Sequence, residues 1–228
     1  MSARVRIVAR EDAGAGLTLV HLEVPAEIRA SYTRPGQVLV VTGDGEDAYF
    51  ALASRVAAEQ WSLLVRDAGT VAHRVLTSEL GTELPISVPK FAGFPYHPET
   101  PGPIGLVAVG SALGAVRGLY LALEAEGRAH ETTLFLGVRE LGSIPLRAEL
   151  VRLVGAGARV IVCVSDEPTR PMAPFEVHTG LVQDAVVRGT QDGSLPKGAI
   201  LYVAGPAAMM DDFRARSEAL GVAVHANA

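Results

Sequence analysis

The apolar positions of this 228-residue chain follow two rhythms. Up to about residue 90 they come in short β-type runs separated by turns. Residues 5–9, 18–24, 37–41, 49–54, 60–66 and 84–88 are the expected strands. Regular short spacing of this kind predicts a small antiparallel barrel or sandwich. One helix interrupts it over residues 71–80, where Val71, Val75, Leu76 and Leu80 share a face. From residue 104 onward, wholly apolar runs alternate with helical ones. Strands are expected at 104–109, 132–138, 159–164, 200–204 and 222–225, and helices at 115–126, 145–154, 180–188 and 207–220. Apolar strands separated by helices imply a parallel sheet covered on both faces. A stretch dense in Pro and Gly, residues 94–103, separates the two rhythms and reads as a linker. The expected architecture is two-domain, β followed by α/β. An antiparallel β-barrel takes residues 1–98 and a doubly wound parallel-sheet domain takes residues 104–228.

Composition agrees with a folded chain. Hydrophobic residues make up 49% and charged residues 20%, enough apolar matter for a sizeable core. The formal net charge is −5 and no basic cluster tracks a phosphate backbone, which argues against nucleic acid as a partner. No apolar run approaches the roughly 20 residues that span a bilayer. The first ten residues alternate charged and apolar positions and lack the apolar core of a signal peptide. With Cys163 the single cysteine, a cytoplasmic location is expected. The six histidines fall at no metal-ligand spacing, so no metal site is expected. Cys163 lies mid-strand and reads as a buried inert thiol.

Two strand ends carry the candidate chemistry. The run ending at Val109 passes into Gly110-Ser-Ala-Leu-Gly114 and then a helix. The run ending at Ala204 passes into Gly205-Pro206, and again a helix starts at once. Pro fits the first helical turn, and Gly permits close approach of another group. Helix N-termini at the carboxyl ends of parallel strands bind anionic groups, pyrophosphate among them.

The segment 201–213, with Gly205, Pro206 and Met209, resembles the C-G-P-x-x-M signature of the ferredoxin–NADP reductase superfamily, with Ala204 at the Cys. The turn 109–115 is similar to that family's G-G-T-G-I-A-P. Ser111 stands at the Thr and Leu113 at the Ile, while Val109, Ala112 and Ala115 depart. Residues 134–140 resemble its L-x-x-G-x-R strand end, which places Arg139 at the nucleotide. The third strand ends in Ser165, Asp166 and Glu167, where relatives that prefer NADP carry a Ser-Arg pair. Carboxylates repel a 2′-phosphate, and an acidic group accepts from a ribose hydroxyl, so NADH is expected over NADPH. Arg170 is the one nearby cation able to reverse that preference.

The first half carries its own resemblances. Arg34-Pro-Gly-Gln37 is similar to the family's P-G-Q turn, and read alone it is a type II turn. Residues 48–54 resemble the flavin motif R-x-Y-S-I-A-S. Ala48 stands at the Arg, Phe50 at the Tyr, Ala51 at the first Ser, Leu52 at the Ile, and Ser54 at the last Ser. Gly69, Thr70 and Val71, with Ala72, occupy the place of its G-x-x-S pyrophosphate turn. Tyr49, Phe50 and Trp61 are the rings available to stack on a flavin, and His225 the ring available to cover its other face. Some plant and bacterial ferredoxin-reductase-like proteins also lack the flavin Arg, and this chain resembles them most.

The resemblance implies a flavin oxidoreductase that passes electrons from NADH through FAD to an unidentified acceptor, with a redox partner protein as one candidate, without acid–base residues. Ala204 in place of Cys implies slower hydride transfer and not its loss. The alternative is a non-catalytic or regulatory relative that has lost flavin. Ala48, Ala51, Ala112 and Ala204 favour it.

Overall fold

A computed structural model describes residues 2–43, 45–90, 93–168 and 170–227. Six strands form the first sheet: β1 (Ser2–Gly14), β2 (Leu17–Glu23), β3 (Val38–Gly43), β4 (Glu46–Ala51), β5 (Gln60–Arg66) and β6 (Glu83–Lys90). A single helical turn, α1 (Ala26–Arg29), and a helix, α2 (Thr70–Thr77), lie among them. The order is β4-β3-β6-β1-β2-β5, and every pairing is antiparallel. A bridge between Leu52 and Leu63 joins the outer strands and closes the sheet towards a barrel.

The second sheet contains β7 (Ile104–Val109), β8 (Thr132–Val138), β9 (Arg159–Val164), β10 (Glu176–Thr179), β11 (Ile200–Ala204) and β12 (Ala223–Ala226). Helices α3 (Leu113–Ala125), α4 (Arg147–Gly155), α5 (Val182–Asp192) and α6 (Ala207–Leu220) connect its strands. All its pairings are parallel and the order is β10-β9-β8-β7-β11-β12. The winding direction reverses between β7 and β11, which puts a ligand crevice at their carboxyl ends. β8 is buried at all seven positions, as a central parallel strand covered on both faces must be.

The two sheets share a boundary through β5. Trp61, Leu63 and Val65 point into the barrel core, while Leu64 joins the core built around α3. The segment after β6 also packs. Phe94 and Tyr96 set their rings edge-on to Tyr202 of β11, at 5.3 and 6.3 Å between centroids. The expected linker is therefore sewn to the second sheet.

Four elements differ most from the sequence expectation. β1 runs over Ser2–Gly14 instead of 5–9, because its charged ends, which break the apolar pattern, still pair with β6 and β2. β10 was not expected, because four residues after a Pro-rich loop carry too short an alternation to stand out. α1 is a single turn with no buried residue, so no apolar stripe announces it. β4 begins at Glu46 instead of 49 and ends at Ala51. Its polar start forms a hairpin with β3, where the Thr42 hydroxyl donates to Asp47 at 2.8 Å.

Candidate nucleotide cleft and flavin face

A cleft of about 660 Å³ opens at the carboxyl ends of β7, β8 and β9. Gly110, Ser111, Arg139 and Ser165 line it, so four of the sequence-predicted residues meet there. Gly110 has φ +55, a conformation that suits a residue without Cβ, and turns the chain from β7 into α3. Arg66, at the end of β5, enters from the barrel side. Its Nη2 would lie 3.6 Å from a Cβ placed on Gly110. Gln183 and the residues 180–182 bring the N-terminal turn of α5 to the same space. Arg66 and Arg139 are exposed and, among the described residues, neither guanidinium has a hydrogen-bond or ion-pair partner. Two unpaired cations, two hydroxyls and a helix N-terminus give this cleft the chemistry of a phosphate site.

The neighbouring predicted residues divide by role. Leu113 is fully buried and Gly114 packs on Leu64, so both support the turn from behind. Ser165 donates its hydroxyl to the Asp166 carboxylate. Glu167 turns away and accepts from the Leu141 N–H, so of the two expected carboxylates Asp166 alone is exposed beside Ser165. Cys163 is 1% exposed at the cleft floor, and burial pushes its thiol up to about 12, as the inert reading requires.

Gly205, Pro206 and Met209 stand at the end of β11. The Met209 side chain folds back over Gly205, where its Cε would come within 2.5 Å of an added Cβ. The backbone approach that Gly205 permits is thus used by the chain's own thioether. That Cβ position is 3.8 Å from Val109, which puts this segment beside the β7 turn.

The flavin-type residues lie on the barrel. Along β4, Ala48 and Phe50 pack partly against the barrel core, Ala51 faces the core around α3, and Tyr49 is 61% exposed. Leu52 and Ser54 are buried. The Ser54 hydroxyl accepts from the Ser62 N–H at 3.3 Å and its carbonyl from the Tyr32 hydroxyl at 2.6 Å. These two side chains hold the strand and are not presented to a ligand. Gly69, with φ +86, and Thr70 are exposed at the start of α2, and no side chain caps that helix. Its first-turn N–H groups thus carry no side-chain cap among the described residues, the arrangement a diphosphate site uses. Val71 is buried beneath them. Pro35-Gly36 forms the expected turn, with Gly36 at φ +76 and the Gln37 side chain accepting from the N–H groups of Thr33 and Arg34 at 2.6 and 3.0 Å.

Two expected stacking rings are corrected. Trp61 is 1% exposed and meets Tyr32 edge-on inside the barrel, so it offers no platform. His225 is stacked on Tyr202 at 5.5 Å, which commits its ring to the protein. Sequence reasoning also missed Arg66 and Gln183. Arg66 ends a strand of the other lobe, and Gln183 follows the unexpected β10.

The comparisons agree with this fold. Residues 106–215 match the family model of the oxidoreductase NAD-binding domain. The ferredoxin–NAD(+) reductase component of an alkene monooxygenase system from Xanthobacter autotrophicus is 30% identical over 216 residues, 93% of this chain. By these two matches the chain is similar to the ferredoxin–NADP reductase superfamily. It spans 64% of that curated relative's length. Among solved structures, an Amycolatopsis cytochrome P450 reductase superposes with TM-score 0.80 at 19% identity, over 99% of this chain and 70% of that one. A Neisseria gonorrhoeae ferredoxin NADP+ reductase with bound FAD and NADP gives 0.75 at 12% identity, over 100% and 99%. At such identities these two likenesses establish the fold.

Proposed function

We propose that this chain is an NADH-dependent flavin oxidoreductase that takes a nicotinamide nucleotide in the cleft and FAD on the barrel face. The observation that carries the reading is the pair of guanidiniums, Arg66 and Arg139, without partners among the described residues and entering from opposite lobes one cleft that Ser111 and Ser165 also line. Their task is to bind and orient a diphosphate. The turn at Gly110 lets the backbone come close, and Asp166 would accept from a ribose hydroxyl. The same carboxylate, exposed beside Ser165, would repel a 2′-phosphate, which supports NADH over NADPH. On the barrel, the N–H groups at Gly69–Val71 would hold the flavin diphosphate, with Tyr49 and Phe50 of β4 as the candidate rings. When bound, a flavin accepts hydride from the nicotinamide and releases electrons to an acceptor. The protein's share is alignment and exclusion of water.

The activity of the longer Xanthobacter relative, a ferredoxin reductase, supports a redox protein as acceptor. The purified protein, incubated with FAD and gel-filtered, is expected to keep the flavin's visible absorption and to bind NADH more tightly than NADPH. A colourless protein after this treatment favours the flavin-free alternative, which Ala48 and the Met209 contact over Gly205 support. Tighter NADPH binding refutes the preference.

A further inference from the structure

We infer that Arg117 is a positioning residue: it locks the barrel strand end at Ala53–Ser54 onto α3 and so sets the spacing between flavin face and nucleotide cleft. This rests on the flavin-reductase reading above. Gly114, Arg117 and Gly118 lie three and four residues apart, on one face of α3. A Cβ at Gly114 would stand 3.0 Å from the Leu64 Cβ, and one at Gly118 2.4 Å from the Ser54 carbonyl oxygen. The helix backbone therefore rests directly on the barrel. Between the two glycines, Arg117 Nη1 donates to the Ala53 carbonyl at 2.9 Å and to Ser62 Oγ at 3.3 Å. Its Nε and Nη2 donate to the Glu149 carboxylate of α4 at 2.9 and 2.6 Å. Tyr120 donates to the same carboxylate. One guanidinium thus binds barrel, α3 and α4 together, and it is only 9% exposed.

The consequence is geometric. The turn that lines the cleft begins at Gly110, seven residues before Arg117, or about 10 Å along a helix axis. The carbonyl that Arg117 grips belongs to Ala53, two residues past the end of β4, the strand that carries Tyr49 and Phe50. The apolar boundary between the lobes is non-directional, and the polar lock fixes the register in which they meet. Arg117 lines neither the cleft nor the exposed start of α2, so its effect falls on alignment and not on affinity.

The test uses the full chain loaded with FAD. Arg117→Met and Arg117→Lys are compared with wild type for NADH affinity and for the rate of flavin reduction under anaerobic stopped flow. Arg117→Met is expected to slow reduction at least about tenfold, since misplacement by about 1 Å costs up to roughly 100-fold. Its NADH dissociation constant is expected to stay within about threefold, and Arg117→Lys to recover part of the rate. Val20→Ala, in the barrel core, controls for lost stability and is expected to leave the rate unchanged. An unchanged rate in Arg117→Met, or equal slowing in Val20→Ala, overturns the proposal. Should wild type bind no flavin, the functional reading falls and a second arm still decides. Hydrogen exchange at the Ala53 and Ser62 amides is expected to speed up in Arg117→Met while β8 stays protected. Unchanged exchange there sinks the lock.

Discussion

Ala48 is the residue at which this chain departs most sharply from a tight flavoprotein. It lies on β4, the strand packed against α2, whose uncapped start is the candidate diphosphate site. Ala48→Arg is expected to tighten FAD binding roughly 10- to 150-fold, from about 1.5–3 kcal/mol for a charged hydrogen bond and about 1.4 kcal/mol per decade. Fluorescence titration of the flavin checks it, and an unchanged affinity would place the diphosphate elsewhere. By the same magnitudes, Arg66→Ala and Arg139→Ala should each weaken NADH binding about 10- to 150-fold, read by calorimetry. Gly110 and Ser111 were legible in the sequence because they follow an apolar strand of a parallel sheet, and Arg139 and Ser165 because the strand ends that carry them resemble family motifs. Arg66 was not, because nothing local says that a barrel strand ends over a turn of the other lobe. Trp61 and His225 misled for a related reason. A ring's presence is visible in sequence, and what it stacks on is decided by tertiary packing.

Among the elements, α3 joins the most functions. Its first turn shapes the cleft and its middle meets the barrel, while Tyr120 holds the Glu149 carboxylate. Burial alone would depress the Arg117 guanidinium, and the Glu149 carboxylate more than offsets it, so it stays charged. Glu149→Ala leaves that charge buried and unpaired, with an expected loss of about 3–5 kcal/mol in urea unfolding. The exposed pair Arg152–Glu124 provides the contrast, and Glu124→Ala is expected to cost under about 1 kcal/mol. Equal losses would show that the buried network has no special weight. The helices and most strands were readable because their apolar periods persist for several turns or pleats. β10 has four residues and β4 starts on two carboxylates, so neither offered a sustained pattern.

For the whole molecule, pH acts through two histidines. Burial lowers His178 first, with Arg188 adding to it and Asp184 opposing, and burial also lowers His225. The His178 Nε2 is buried without a hydrogen-bond partner. The unfolded chain therefore binds these protons more readily than the folded one. Stability rises with pH across the interval below the ordinary histidine value of about 6.5 and is lost as pH falls through it. Urea midpoints are expected to drop between about pH 7 and pH 5.5, and His178→Phe to flatten part of that drop. A midpoint independent of pH over this range would contradict the assignment. Two lobes of different architecture were legible from the change of rhythm near residue 100. Their docking was not, because it depends on glycines and an arginine whose barrel partners lie 50 or more residues away in the chain.

The most direct measurement mixes FAD-loaded protein with NADH, without oxygen or acceptor, and follows the flavin's visible absorption. Rapid bleaching, faster with NADH than with NADPH and slowed in Arg139→Ala, is the predicted result. A flavin that stays oxidised in the presence of saturating NADH would contradict the proposal that the two cofactors meet between these lobes.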